Sequence, residues 1–250
     1  MPEVFNAYAR YYDLLYKDKD YEAEAFYIDR LIKRYCPTAK SILSLGCGTG
    51  KHDAYFEKMG YLVCGVDLSD AMLAQAQKIA IKGKIEFFKG DVRTVDLHKK
   101  FDIVVSLFHV MSYQTTDDDI LSAFRTAGRH LLPGGVFIFD FWHGPGVLND
   151  PPVVRVKRLE DEKVRVVRIA EPVLKNNNVV DVNYQIITLD KHSGRWSELK
   201  ENHPMRYFFL PEIKKYLSDV GFSLKDTREW MLDKPLFSEW YGLVVAGKRE

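Results

Sequence analysis

The sequence predicts an α/β fold: a mostly parallel sheet covered by helices on both faces. Three observations lead there. Its 250 residues, 46% hydrophobic and 28% charged, suit one soluble domain or one domain with additions, with enough chain to bury a core. Between residues 41 and 140, short apolar runs alternate with segments of helical spacing. A glycine-rich stretch, Gly46, Cys47, Gly48, Thr49 and Gly50, follows one such run and opens a helix.

Taken in order, the chain begins with an aromatic lead, Phe5, Tyr8, Tyr11, Tyr12 and Tyr16. Residues 21–35 then set Ile28, Leu31, Ile32 and Tyr35 on one helical face, and Pro37 stops the helix. Strands are expected at 41–45, 61–66, 85–88, 101–108 and 135–139, with helices at 51–59, 70–81 and 118–132 between them. In the last helix Ile120, Leu121, Phe124, Ala127 and Leu131 trace the apolar face, and Asp117, Asp118 and Asp119 suit its positive amino end. A turn-rich stretch at 144–152 separates this region from period-two segments at 153–209, read as three or four antiparallel strands. A closing helix at 211–220, ended by Gly221, and strands at 222–229 and 240–247 complete the chain. The expected units are cap helices (1–36), a cofactor-binding core (37–144), the antiparallel insertion (145–209) and a final helix with two strands (210–250).

Composition excludes some partners. With 36 basic against 35 acidic residues the net charge is +1, and no basic footprint marks a nucleic-acid or membrane partner. Cys36, Cys47 and Cys64 are isolated, without metal-ligand spacing, so reduced thiols and no metal site are expected. No secretory leader pattern opens the sequence and no run of about 18 apolar residues occurs. A cytoplasmic location is the expectation.

The glycine loop lets backbone pass close to a ligand, beside the free amides of a helix amino terminus. Asp67 ends the second strand, where a carboxylate can hold both hydroxyls of a ribose. Together they point to a nucleoside ligand. The spacing is G-x-G-x-G, with Lys51 where a dinucleotide fingerprint would carry its last glycine, which counts against a nicotinamide oxidoreductase.

With these residues in place, the chain resembles the class I S-adenosylmethionine methyltransferases. Residues 44–50 look like their first motif and 65–69 like their ribose-binding strand end; 88–92 resemble their adenine-edge motif and 131–135 their turn into strand five. The resemblance implies a Rossmann-like, doubly wound, mostly parallel seven-stranded sheet and S-adenosyl-L-methionine as cofactor, leaving S-adenosyl-L-homocysteine. It also implies cofactor contacts from Tyr12, Ser44, Gly46, Cys47, Gly48, Gly50, Asp67, Leu68, Asp91, Val92 and Leu107. Asp67 would take the ribose, Asp91 the adenine amino group, and the Val92 amide the ring. The chain departs at Ser44, where such families often carry Asp or Glu for the methionine part.

Methyl transfer needs an acceptor lone pair, aligned and dry. Candidates follow strand four (His109, Tyr113, Gln114) and strand five (Asp140, Trp142, His143). Asp140 reads equally as a base or a loop-capping acid. An Asn/Asp-Pro-Pro-aromatic motif is missing from the strand-four loop, which argues against a nucleic-acid base as acceptor. The lead, Phe5 through Tyr16 with Asp20, Tyr21, Ala23 and Glu24, resembles that of bacterial sugar N-methyltransferases. That likeness implies Tyr16 at the acceptor and Tyr12 on the cofactor side, with Tyr113 where the family has histidine. On one reading, Arg155, Lys157, Arg158, Lys163, Arg165 and Arg168 offer a basic strand face to a diphosphate; on the other, the face is merely solvated. The expected catalytic set is Tyr16, His109, Tyr113 and Asp140. The expected function is methyl transfer to N or O of a small molecule, best matched by a nucleotide-linked or glycan-building sugar. The insertion would build the acceptor site, a lid or a homodimer contact. Alternatives are another acceptor (a small amine, carboxylate or protein), a nicotinamide oxidoreductase, or a non-catalytic nucleoside-binding module.

Overall fold

Parallel strands require crossovers, and the alternating pattern supplies them. The computed structural model describes residues 9–249; Phe5 and Tyr8 of the aromatic lead lie outside them. The first five strands are β1 (Ser41–Leu45), β2 (Leu62–Asp67), β3 (Ile85–Lys89), β4 (Phe101–Ser106) and β5 (Leu131–His143). They pair in parallel in the order β3-β2-β1-β4-β5. The caps are α1 (Ala9–Leu15) and α2 (Tyr21–Tyr35), and the crossovers run through α3 (Lys51–Lys58), α4 (Asp70–Ala76) and α5 (Asp117–His130). Strand order reverses between β1 and β4. That is the switch point where open α/β sheets leave a crevice beyond their carboxyl ends.

β10 (Phe222–Glu229) and β11 (Tyr241–Lys248) complete the far side: β11 runs antiparallel to both β5 and β10. The expected seven strands are therefore present, but the sheet does not stop there. β6 (Arg155–Glu160), β7 (Val164–Leu174), β8 (Val179–Asp190) and β9 (Trp196–Phe208) form an antiparallel meander. It joins β5 where Trp142 and His143 pair with Tyr207 and Phe208, beyond the last residue that β4 pairs. The result is one eleven-stranded sheet with antiparallel strands at one side.

β5 shows why both sheet faces are apolar. Phe137, Phe139 and Phe141 pack on one face with Phe124 of α5 and Phe222, while Val136 and Ile138 pack on the other with Ile28 and Ile32 of α2. The side-chain period of two sends alternate residues to opposite helix layers.

Some local readings differ. The strand expected at 101–108 ends at Ser106, because Phe108 takes φ +67°, and the helix expected at 118–132 ends at His130, because Leu131 begins β5. β5 runs past 135–139 at both ends, because β4 pairs Leu131 and β11 carries pairing to Trp142. The helix at 70–81 stops at Ala76 and tightens into a 3-10 turn, since Ile81 bridges Ile85 and Gly83 turns at φ +77°. The stretch at 144–152 includes a short helix, α6 (Gly144–Asn149), started by Pro145.

Arg206 of β9 fastens the meander to the core. This side chain is 8% exposed. Its guanidinium donates to Asp117 at the start of α5 (2.7 Å), and to Glu212 (3.2 Å) and Tyr216 (3.1 Å) of α7 (Leu210–Asp219). Arg206→Met would leave two carboxylates around an apolar stem, partly relieved by solvent at Asp117. The expected loss in a urea titration is about 2 kcal/mol; an unchanged midpoint would mean that the cluster adds no stability.

Candidate active site

The glycine loop turns tightly because its glycines take backbone angles that other residues avoid. Gly46 has φ +78°, and a Cβ there would lie 2.5 Å from a Val110 methyl, so the loop sits hard against the turn after β4. The Gly46 and Cys47 amides donate to the Val66 carbonyl at 2.8 and 2.9 Å. Asp67 then receives two amides: Gly48 N–H at 2.8 Å on one oxygen and Ser69 N–H at 2.9 Å on the other. A carboxylate has about four acceptor positions, so capacity remains toward the cavity that Asp67 lines. Burial pushes its carboxyl above the usual range, while these amides oppose the rise.

The cavity measures about 1200 Å³ and runs from this loop to the insertion. That exceeds the roughly 300–1,000 Å³ of a single-ligand pocket. On the nucleoside side, Ser44, Gly46, Cys47, Gly48, Leu68, Val92 and Leu107 all line it. Asp91 lines it too, but its carboxylate is already engaged by Arg93, whose Nε and Nη2 reach it at 2.9 and 2.5 Å and whose Nη1 reaches Asp119 at 2.6 Å. Arg93 therefore holds the Asp91 carboxyl below the usual range. Gly50 does not line the cavity. It caps α3 at φ +73°, and a Cβ there would meet the Phe87 ring at 2.6 Å, so its smallness serves packing.

The other half has aromatic and insertion walls. Tyr12 of α1 and Tyr16 just after it set their rings 4.7 Å apart at a tilt and meet Phe108 edge-on, Tyr16 at 5.1 Å. Asp13 of the same helix accepts from the Thr49 hydroxyl (3.0 Å) and pairs with Lys51 (3.1 Å), pinning the aromatic cover to the glycine loop. Phe108 and His109 both take positive φ, +67° and +66°. Such angles are costly for residues with a Cβ, and Asp140 offsets the cost by accepting the His109 amide on both oxygens at 3.0 and 3.1 Å. Asp140 is 1% exposed and stands behind the cavity wall, its Oδ2 2.7 Å from His109 Nδ1. Its place is that of the loop-capping acid, not of a group open to substrate. The His109 ring lines the cavity and stacks on Tyr241 at 4.4 Å. Trp142 lines it as well; His143 turns away to the Glu239 carbonyl.

Period-two alternation divides the basic residues of the insertion. Arg155 and Arg168 line the cavity with Ala170, Val182, Tyr184 and His203, whereas Arg165 pairs with Glu160 on the opposite face. Arg168 lies over the Tyr184 ring at 5.3 Å and donates to the Tyr16 hydroxyl at 3.4 Å. Tyr113 and Gln114 also reach the wall. Sequence reasoning missed Tyr184, His203 and Tyr241, because the register that brings β8, β9 and β11 to this edge is set by long-range pairing.

It also missed Asp53. This residue of α3 is fully buried beneath the glycine loop, and neither carboxylate oxygen makes a well-formed hydrogen bond. Burial drives its carboxyl up to about 7; the Ser44 hydroxyl favours the charged form and the Asp67 charge opposes it. An acid whose folded pKa is raised is most stabilising below its unfolded value, and that contribution is lost as pH rises to the folded value. Asp53→Asn is therefore expected to gain melting temperature over the wild type progressively from about pH 4 to about pH 7 and hold a constant lead above. Parallel melting curves across that range would contradict the assignment.

Known proteins with this construction are methyltransferases. Residues 42–135 match the methyltransferase domain family. The chain is 37% identical over 221 residues to the dTDP-3-amino-3,4,6-trideoxy-alpha-D-glucopyranose N,N-dimethyltransferase of Streptomyces venezuelae, covering 87% of this chain and 91% of that one. The dTDP-4-amino-2,3,4,6-tetradeoxy-D-glucose N,N-dimethyltransferase of Saccharopolyspora spinosa is 33% identical, with 67% of each chain covered. Among solved structures, the sugar N-methyltransferase KedS8 from Streptoalloteichus is similar with a TM-score of 0.82 and 27% identity, over 96% of this chain and 93% of that one. The glycine loop locked to a strand-end carboxylate, on a sheet of this order, thus agrees with sequence likeness along most of the chain: the protein belongs to the class I S-adenosylmethionine-dependent methyltransferases.

Proposed function

We propose that this enzyme methylates an amino group on a nucleotide-linked sugar. The observation that carries the reading is the continuity of one large cavity from Asp67 to Arg155 and Arg168 of the insertion. A nucleoside cofactor would fill one end, and two guanidinium groups at the other suit a diphosphate. The relatives named for amino-sugar nucleotides supply the acceptor class.

S-adenosylmethionine supplies a methyl group on a sulfonium, ready for in-line displacement. The chain's residues do the rest by placement. Asp67 would hold the ribose hydroxyls; Leu68, Val92 and Leu107 would enclose the adenine, with Asp91 at its edge. Gly46, Cys47 and Gly48 would bring backbone to the methionine part, where Ser44 offers a hydroxyl in place of a charge. Tyr12, Tyr16 and Phe108 would cover the reacting centre and exclude water, which otherwise weakens every polar contact inside. His109, fixed by Asp140 and Tyr241, would set the floor between the two ligands.

A labelled-methyl screen across amino-sugar and hydroxy-sugar nucleotides tests the reading. Label in the amino sugars supports it; label confined to hydroxy sugars, carboxylates or protein overturns it. Asp67→Ala is expected to raise the cofactor dissociation constant at least tenfold (about 1.4 kcal/mol), and unchanged affinity in calorimetry would remove the ribose role. Arg155→Ala is expected to raise the sugar-nucleotide KM about tenfold with kcat nearly unchanged. An effect on kcat alone would place Arg155 elsewhere in the reaction.

A further inference from the structure

Three side chains form a hydrogen-bonded line that begins at the acceptor half of the cavity. The Tyr113 hydroxyl lies 2.9 Å from His203 Nδ1, and His203 Nε2 lies 2.9 Å from Glu201 Oε2. Tyr113 ends the 3-10 turn after β4, whereas Glu201 and His203 sit two apart on β9 and so share one face. The His203 ring is fully buried, with the Tyr184 ring edge-on at 4.8 Å. A carboxylate only accepts, so Nε2 carries the imidazole hydrogen and Nδ1 accepts from Tyr113. The line thus has a direction, from the cavity toward Glu201. Tyr16 and Tyr184 also face Tyr113, and Arg168 lies over the Tyr184 ring.

We propose that Tyr113, His203 and Glu201 form a proton relay that takes the proton from the acceptor's ammonium group before methyl transfer. The inference rests on the sugar-amine reading above. An aliphatic amine is largely protonated near pH 7 and then has no lone pair to offer. In the relay an N–H bond of the ammonium breaks as its hydrogen bonds to the Tyr113 oxygen. The hydrogen of Tyr113 passes to His203 Nδ1. The amine becomes neutral and the imidazole becomes imidazolium, facing the Glu201 carboxylate. Its excess proton passes from Nε2 to Glu201, whose side chain keeps 8% exposure, and from there to solvent, so no other reactant is needed. This leaves the His203 hydrogen on Nδ1; return to the Nε2–H tautomer resets the line, and a methylated product amine, again an ammonium, can then be deprotonated before a second transfer. Burial pushes the Tyr113 phenol well up, so this residue conducts the proton and does not rest as phenolate.

The test compares wild type, Tyr113→Phe, His203→Gln and Glu201→Gln on an amino-sugar nucleotide that the wild type methylates. If the wild type methylates none, the functional reading fails rather than the relay. Cofactor affinity by calorimetry and circular dichroism report whether each variant is folded; Glu201→Gln, which keeps the size and shape of the side chain, is the one expected to perturb folding least. Tyr113→Phe and His203→Gln are expected to lower kcat about tenfold or more at pH 7, with KM and cofactor affinity within about twofold. The deficit should shrink as pH approaches the free amine's own pKa, because solvent then deprotonates the acceptor. The His203 ring nitrogens should show the Nε2–H tautomer by NMR in the wild type. A deficit of constant size at every pH, no deficit in folded variants, or the opposite tautomer would overturn the relay.

Discussion

The Asp67 carboxylate is the point on which the site is built. By accepting the Gly48 and Ser69 amides it locks the glycine loop, the end of β2 and the start of α4 to one another. The loop is then fixed against Val110, which places the turn after β4. Through Thr49 and Lys51 the same loop holds Asp13, and with it the aromatic face of α1. A carboxylate partly withdrawn from water is costly unless charge-assisted hydrogen bonds satisfy it. Here the amides that satisfy it are those of the loop that shapes the site, so stability and pre-organisation come from the same contacts.

The acceptor side is built differently. The core sheet supplies only its edge, and the opposing wall comes from a meander that hydrogen-bonds β5 at two residues. Arg206 compensates by tying β9 to α5 and α7. Polar groups on the concave face, Arg168, Tyr184, His203 and Tyr113, are linked to one another by hydrogen bonds or ring contacts. Such a network in a low-dielectric cavity fixes its members' orientations, which suits a site where reacting atoms must be held close and dry.

The core was legible because its signals are local. Strand and helix spacing, the glycines and Asp67 lie within a short stretch whose chemistry follows from adjacent residues. Legibility fell where the outcome depended on packing partners. Gly50 belongs to the same motif as Gly46, yet it faces Phe87, which arrives from β3. Asp140 read equally as base or cap until the positive φ of Phe108 and His109 turned the His109 amide onto it. Glu201 and His203 were invisible as a pair with Tyr113, because a one-residue shift in β9 would turn both away. Asp53 carried no sequence signal at all: its burial comes from how α3 lies on the sheet.

The most direct measurement is a crystal structure with S-adenosylhomocysteine and an amino-sugar nucleotide bound together. The ribose is predicted at Asp67, the diphosphate against Arg155 and Arg168, and the sugar amine beside Tyr113 beneath the insertion. An amine bound outside the insertion wall, or a ribose away from Asp67, would contradict the single two-part site described above.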